Sequence, residues 1–356
     1  MPVLSTTVLQ QTLLASLSVL LVAASASLLR RSRLGFAGAM LWIGMGTIGA
    51  VGAAFLPVVN AIGDFLGVLP AAVLTGVASL LLGTIAFLLA LQVARIERSL
   101  QETVEAIGVQ NVTPPLAPAD DSSILALVPA FNEVDTIGKV VADLHALDLP
   151  VLVIDDGSTD GTGHAARQSG SSVLRLHTNL GVGGALRAGL RYARLQGFST
   201  VIQCDGDGQH PPEAVAALLS NRSDEFDLLL GSRFDGGFAV IPAMSRRIAI
   251  QFLSRLASRA AGGRITDSTS GLRIIQGPLL AELARRMPSH YLGDTFEVVH
   301  AAGRAGYRIR EIPVTMIERS HGTSTASTAT AVKMTLRVVI TSLLRVHLPL
   351  KAADVG

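Results

Sequence analysis

The sequence predicts an α/β domain with a mostly parallel sheet, preceded by an all-α membrane domain of three helices. Three observations carry this. From residue 124 onward, short apolar runs alternate with Gly/Asp/Asn turns and helical stretches; before residue 94 stand three long apolar stretches without a charge. Charged residues make up only 16% of the 356, and mean hydropathy is +0.48, so apolar length is concentrated somewhere.

The stretches lie at about 7–29, 34–58 and 68–93, each reaching the roughly 20 apolar residues that cross a bilayer as a helix. The first has no basic residue before it and outruns a signal core, so it reads as a retained helix. Arg30, Arg31 and Arg33 follow the first span, Arg95 and Arg98 follow the third, and the loop near 59–67 carries only Asp64. Both basic clusters belong on the cytoplasmic side. The expected topology is therefore a multi-pass plasma-membrane protein with its N-terminus outside and everything after residue 94 inside. Gly44, Gly46, Gly49 and Gly52 permit close helix contact, within the chain or between copies as a homo-oligomer. Ile96, Leu100, Val104 and Ile107 recur at helical spacing, which predicts an amphipathic stalk lying on the bilayer or against the next domain. The expected division is 1–93 membrane domain, 94–123 stalk and linker, 124–325 α/β domain, and 326–356 an interfacial helix and tail.

Composition also excludes. A formal charge of +2 offers no broad basic field, so no nucleic acid is expected. A single cysteine, Cys204, rules out an internal disulfide framework or a multi-cysteine zinc site.

Strands are expected at about 124–129, 150–155, 172–177, 199–204 and 227–231, with helices near 134–146, 159–168, 183–195 and 211–219. Ligands of such sheets bind beyond the carboxyl ends of the strands. After the fourth run comes DGDGQHPPE, 205–213, where extended backbone would let Asp205, Asp207 and Gln209 converge. Such oxygen ligands suit Mg²⁺ or Mn²⁺ together with a nucleotide diphosphate; a solvated Asp/Gly turn is the other reading. After the second run comes DDGSTDGT, 155–162. There Ile154 and Asp156 share a face, and Asp156 is suited to accept from a base or ribose. The same stretch is suited to a helix start, with Ser158 or Thr159 as cap and Asp160 in the first turn. In PAFNE, 129–133, Pro129 and Phe131 can wall a base pocket and Glu133 can reach polar atoms. NLGVGGALRAGL, 179–190, is a glycine-rich helix entry able to offer N–H groups to phosphate, and its spacing is neither GxGxxG nor GxxxxGK[ST]. Arg233, in GSRF, is a phosphate ligand or one half of a surface ion pair; Arg246 and Arg247 are further candidates. His210 reads as a cap for the next helix, or as part of the metal motif, and His300 as packing.

In this order, PAFNE, VIDDGSTDGT, NLGVGG, DGDGQHPPE, GSRF and DSTSGLR resemble glycosyltransferase family 2, and within it the polyprenyl-phosphate (dolichol-phosphate) mannose and glucose synthases, over about 122–325. The resemblance implies a GT-A fold. It places nucleotide contacts at Pro129, Phe131, Glu133, Ile154 and Asp156, and metal and diphosphate at Asp205, Gly206, Asp207 and Gln209. Arg233 and Arg319 match arginines near the phosphates, and Glu297 an acidic residue of the acceptor-side helix; Asp207, Arg233 and Glu297 are the implied catalytic residues. The sequence departs from the pattern at Thr325, where the family often has lysine. The first three helices resemble a small membrane domain often found as a separate partner.

The implied reaction transfers a hexose from a GDP-mannose- or UDP-glucose-type donor to a polyprenyl phosphate. A phosphate monoester has a second pKa of about 6, so it is a nucleophile at neutral pH without a strong base. A hydroxyl acceptor, on a glycerolipid or a glycan, would need one, and Asp294 or Glu297 would supply it. A non-catalytic membrane or flippase partner is a third reading, disfavoured by the intact Asp205, Asp207 and Gln209 and by spans without ionisable groups. Residues 245–261 and 331–350 place basic residues among apolar ones at helical spacing, suiting a membrane surface or packing on the domain.

Overall fold

The computed structural model describes residues 6–31, 33–66, 69–120, 123–233, 244–287, 295–317 and 350–351, with only the backbone path over 56–78 and 244–250. Its contacts divide the chain in two, with the break between Ser99 and Leu100.

The first unit is built from α1 (Thr6–Arg30), α2 (Phe36–Leu66) and the first part of α3 (Leu69–Gln110). Two of its stretches, Gln11–Arg30 and Gly38–Phe55, are long and apolar enough to cross a membrane. The third expected span falls partly where side chains are not described. Helices α1 and α2 approach through small residues. A Cβ at Gly46 would come within 2.6 Å of Val22 and one at Gly49 within 2.5 Å of Ser18, so neither position admits a side chain as the helices stand. Gly44 and Gly52 meet nothing within 4 Å. Gln11 donates from Nε2 to the Ala53 carbonyl at 3.0 Å, which satisfies an amide in an otherwise apolar helix. Trp42 packs edge-on to Phe87, with ring centroids 4.9 Å apart.

The second unit carries a seven-stranded sheet in the order β3-β2-β1-β4-β6-β5-β7. The strands are β1 (Ile124–Ala130), β2 (Val151–Asp156), β3 (Ser172–Leu176), β4 (Thr200–Gln203), β5 (Leu228–Ser232), β6 (Arg273–Gln276) and β7 (Ile309–Pro313). All pairings are parallel except those of β6, which runs antiparallel to both β4 and β5. The first five runs alternate faces and are buried on both, which is why they read as continuous apolar segments. Leu125, Leu127, Leu152 and Ile154 enter one core, with α6 (Gly181–Gln196), α9 (Gly277–Arg286) and α10 (Thr295–Arg304). Ala126, Val128, Val151 and Val153 enter the other, with α4 (Val134–His145), α5 (Thr162–Gln168) and α7 (Pro212–Ser220).

Of the stalk's apolar stripe, Ile96, Leu100 and Ile107 are exposed, while Val104 packs on the core of the domain. Beside Val104, this part of α3 presents Glu105 and Gly108 to the domain. Glu105 is wholly buried against Arg187 of α6, whose Nε lies 2.8 Å from both carboxylate oxygens. Gly108 faces Leu174 and Leu176 of β3. Apolar side chains, backbone and charge thus meet the domain together. Helix α8 (Met244–Ala261) turns Leu253 and Ala257 into the core, and Ser254 and Ser258 donate to the Thr266 and Ile265 carbonyls at 2.7 and 3.0 Å. Its described inner face therefore packs on the domain. The segment 331–349 lies outside the described residues.

Candidate active site

The carboxyl edge of the parallel strands gathers the loops that follow β1, β2, β4 and β5. Because β6 runs the opposite way, its first residue, Arg273, pairs with Gln203, the last of β4. The loop preceding β6, 267–272, therefore reaches this same edge.

The loops after β1 and β2 are joined to each other. Asn132, at φ +54°, donates its N–H to Ser158 Oγ at 3.0 Å and accepts the Thr159 N–H on Oδ1 at 3.0 Å. The Glu133 and Val134 N–H groups go to Thr162 Oγ1 at 2.8 Å and Asp160 Oδ2 at 3.1 Å. Asp160, rather than Ser158 or Thr159, serves the start of α5, accepting from the Thr162 N–H at 2.9 Å and from its hydroxyl at 2.6 Å. This frame holds Phe131 out, 45% exposed, beside half-buried Pro129 and Glu133. A ring so displayed is available to stack on a flat ligand. Ile154 is not: its side chain is fully buried under α6, with Cδ1 3.0 Å from where a Cβ on Gly189 would stand.

Asp156 is also turned inward. It is 4% exposed and accepts the Leu180 N–H on Oδ1 at 2.7 Å, while Asn179 Oδ1 takes the Gly181 N–H at 2.9 Å. The glycine-rich entry to α6 thus commits its Leu180 and Gly181 N–H groups within the protein. Burial raises the Asp156 pKa to about 6, against the lowering effect of the Leu180 and Gly181 N–H groups. Its protonated form therefore adds stability that is complete below about pH 4 and is lost as pH rises through about 6, on the order of 3 kcal/mol. Asp156→Asn keeps an Oδ1 acceptor for Leu180 and removes the charge. The stability of this variant relative to wild type, measured by thermal unfolding in detergent, is expected to rise between pH 5 and 7.5. A flat difference across that range would show that Asp156 does not titrate there.

The DGD segment is a turn rather than extended backbone, with Gly208 at φ +74°, so simple alternation does not align its side chains. Gly206 rests on Ala130, and its carbonyl accepts from Thr136 Oγ1 at 2.7 Å. Asp207 is 4% exposed and accepts the Gln209 N–H at 3.0 Å, whereas the Asp205 side chain is 38% exposed. His210 does not cap α7, whose first flanking residue is Pro211. Its buried ring accepts the Asp205 N–H on Nδ1 at 3.1 Å and so closes the turn, with Nε2 4.0 Å from the Asp205 carboxylate. A Cβ on Gly271 would overlap that same carboxylate, so a glycine is required for the loop before β6 to come this close. Among the described residues, no three His, Cys, Asp or Glu side chains gather into a closed metal cage.

Arg233 follows β5 and lies against Asp267, its Nε 2.6 Å from Oδ2 and its second terminal nitrogen 2.9 Å from Oδ1. Burial works against its charge, but Asp267 and then Asp205 outweigh it and hold the pKa above the ordinary arginine value. The arginine therefore stands charged beside the DGD turn. Glu297 sits half-buried in the first turn of α10, and His300 stacks on Phe296, with ring centroids 5.5 Å apart. The side chains of Arg246 and Arg247, and all of Asp294, Arg319 and Thr325, lie outside the described residues.

The model of Glycosyl transferase family 2 matches residues 126–275, the stretch that supplies these loops. Undecaprenyl-phosphate mannosyltransferase of Micrococcus luteus is 32% identical over 213 residues, covering 57% of this chain and 87% of that protein. The chain belongs to glycosyltransferase family 2. Two further relatives of this glycosyltransferase are polyprenol monophosphomannose synthase of Mycolicibacterium smegmatis, 29% identical over 57% of this chain and 80% of that one, and dolichyl-phosphate hexose transferase of Haloferax volcanii, 29% identical over 56% and 85%. The GT-A fold expected of the family is the mostly parallel, helix-flanked sheet described above. Asn132, Asp160 and Asp267 stand inside PAFNE, VIDDGSTDGT and DSTSGLR, but their role of holding other loops becomes visible only in contacts between segments distant in sequence.

Proposed function

We propose that this glycosyltransferase transfers a hexose from a nucleotide-sugar to a polyprenyl phosphate at the cytoplasmic face of the membrane. One observation carries the reading: relatives aligned over 80% or more of their length are named for an undecaprenyl-phosphate, a polyprenol monophosphate and a dolichyl-phosphate product or acceptor. The two apolar helices suit a lipid-borne acceptor. Arg30, Arg31 and Arg33, with Arg95 and Arg98, support a catalytic domain inside and an N-terminus outside.

In this reading, exposed Phe131 with Pro129 and Glu133 receives the nucleoside, and Asp156 serves indirectly by holding the entry to α6. Asp205, Asp207 and Gln209 would hold Mg²⁺ or Mn²⁺. Two carboxylates fit such an ion, which takes its remaining ligands from water and substrate phosphates. When bound, the cation offsets negative charge on the departing diphosphate. Arg233 contributes fixed positive charge beside it, and Glu297 lies on the acceptor side. A phosphate oxygen of the acceptor attacks the anomeric carbon, the bond from that carbon to the nucleoside diphosphate breaks, and the configuration inverts. The dianionic acceptor needs no proton removed, so the residues named here only position and neutralise charge.

The test incubates membranes holding the full chain with polyprenyl phosphate and a panel of labelled GDP- and UDP-sugars, with Mg²⁺ or Mn²⁺ and with a chelator. One donor is expected to label the polyprenyl phosphate, and only with the cation. Label appearing on a glycerolipid or glycan, with none on polyprenyl phosphate, would overturn the acceptor assignment.

A further inference from the structure

Glu311 and Asp267 stand in series behind Arg233. On β7, Glu311 lies in register with Leu230 of β5. One of its carboxylate oxygens accepts the Thr266 N–H at 2.7 Å and the Thr266 hydroxyl at 3.0 Å, and the other accepts the Asp267 N–H at 2.6 Å. Ser232 Oγ lies 2.9 Å from Thr266 Oγ1, tying the end of β5 to the same loop. Asp267 is fully buried, and its carboxylate grips Arg233 Nε at 2.6 Å and a terminal nitrogen at 2.9 Å, in the parallel two-point geometry that fixes a guanidinium plane. Thr269 braces both partners, accepting from that terminal nitrogen at 3.0 Å and donating to Asp267 Oδ1 at 3.1 Å.

A flexible arginine side chain is here restrained at both its Nε and its terminal nitrogen, by a carboxylate whose own loop is fastened to a neighbouring strand. Replacing a whole buried salt bridge by well-packed apolar residues is often nearly neutral, so stability alone does not account for this one. What it secures is direction. Free of Asp267, the Arg233 side chain would sample many rotamers; held, it presents its charge toward the turn that bears Asp205.

We infer that Asp267 and Glu311 are positioning residues for the transfer reaction, acting through Arg233: Asp267 orients the guanidinium toward the donor's phosphates, and Glu311 sets Asp267. The inference rests on the reading above, in which Arg233 faces those phosphates. It separates the arginine's charge, which any cation could supply, from its aim, which this carboxylate pair supplies.

The experiment compares donor kinetics of the full chain in membranes for Asp267→Asn, Glu311→Gln, Thr269→Ala, Arg233→Lys and Arg233→Ala, and for Asp267→Asn and Thr269→Ala each combined with Arg233→Lys. Asp267→Asn is expected to lower kcat/KM for the nucleotide-sugar by about 10- to 100-fold, with Glu311→Gln in the same direction and Thr269→Ala smaller. In the Arg233→Lys background, Asp267→Asn is expected to add little, because the group it acts through is already gone. A purely structural role would lower activity by the same factor in both backgrounds, and that outcome overturns the inference. If Asp267→Asn fails to accumulate in membranes, Thr269→Ala in the two backgrounds makes the same comparison. Loss of activity in Arg233→Lys with Asp267→Asn and Glu311→Gln at wild-type rates would overturn the inference alone. Wild-type rates in Arg233→Lys and in Arg233→Ala would overturn it together with the placement of Arg233 at the phosphates.

Discussion

Asp207→Ala is expected to lower sugar transfer by about 10²- to 10³-fold or more, the scale on which an electrostatic contributor to the reacting centre is lost. The side chain is 4% exposed and accepts the Gln209 N–H at 3.0 Å, so alanine removes both a charge and the brace of the turn. Asp207→Asn separates the two, because its Oδ1 can still accept from Gln209. Initial rates at saturating cation are the measurement, with thermal unfolding of the same preparations alongside. An asparagine variant as inactive as the alanine one, at unchanged unfolding temperature, is the expected result and assigns the loss to the charge. An asparagine variant at the wild-type rate would remove Asp207 from the proposed cation site.

Glu105→Ala should give the largest loss of stability. The carboxylate is fully buried, and its ordinary ionisation is opposed first by burial and restored in part by Arg187 and then Arg191. Arg187 has only 9% of its side chain exposed, and it also donates to the Met287 carbonyl at 3.3 Å, so it has no route to water once its partner is gone. Breaking a buried pair from one side leaves an uncompensated charge and costs about 3–5 kcal/mol, which for a domain of this size lowers the unfolding temperature by on the order of 10 °C. Unfolding of the detergent-purified protein measures this. Glu105→Gln retains hydrogen-bond acceptors and is expected to lose less than alanine. A loss under 1 kcal/mol for Glu105→Ala, roughly that of an exposed pair, would show that Arg187 reaches solvent and that the end of α3 is not secured here.

The elements of the catalytic domain were legible where local pattern and tertiary burial agree. The runs at 124–129, 150–155, 172–177, 199–204 and 227–231 are β1 to β5 within a residue or two, and the four helices between them are α4 to α7. Strands buried on both faces and helices with one apolar face write these periods into any sequence. The four-residue β6 was not legible, since its antiparallel course between β4 and β5 depends on partners far away in the chain.

The same division runs through the site. PAFNE, DDGSTDGT, DGDGQHPPE and GSRF follow strands, and the edge to which a parallel strand delivers its next residues is settled by its direction alone. Their neighbourhood was therefore determined by sequence. Which way each side chain points was not. Ile154 and Asp156 share a face as alternation requires, yet that face looks into the protein, with Ile154 under α6 and Asp156 on the Leu180 N–H. Ile96, Leu100 and Ile107 of the stalk's stripe stay exposed while Glu105 is buried, because its partner Arg187 lies 82 residues further along the chain.

By itself, then, the sequence determined the apolar N-terminal helices, the sheet's first five strands, the family and the loops that meet at the ligand edge, all properties carried by local period and residue type. The tertiary structure alone decided that the loop before β6 comes to Asp205, that Asp267 holds Arg233 and Glu311 holds Asp267, and that a buried ion pair joins the apolar contacts of Val104 and Val109 in fastening α3 to the catalytic domain. The physical reason is that hydrogen bonds and ion pairs between distant segments are set by where the backbone brings two groups together, and neither group marks its partner in the chain around it.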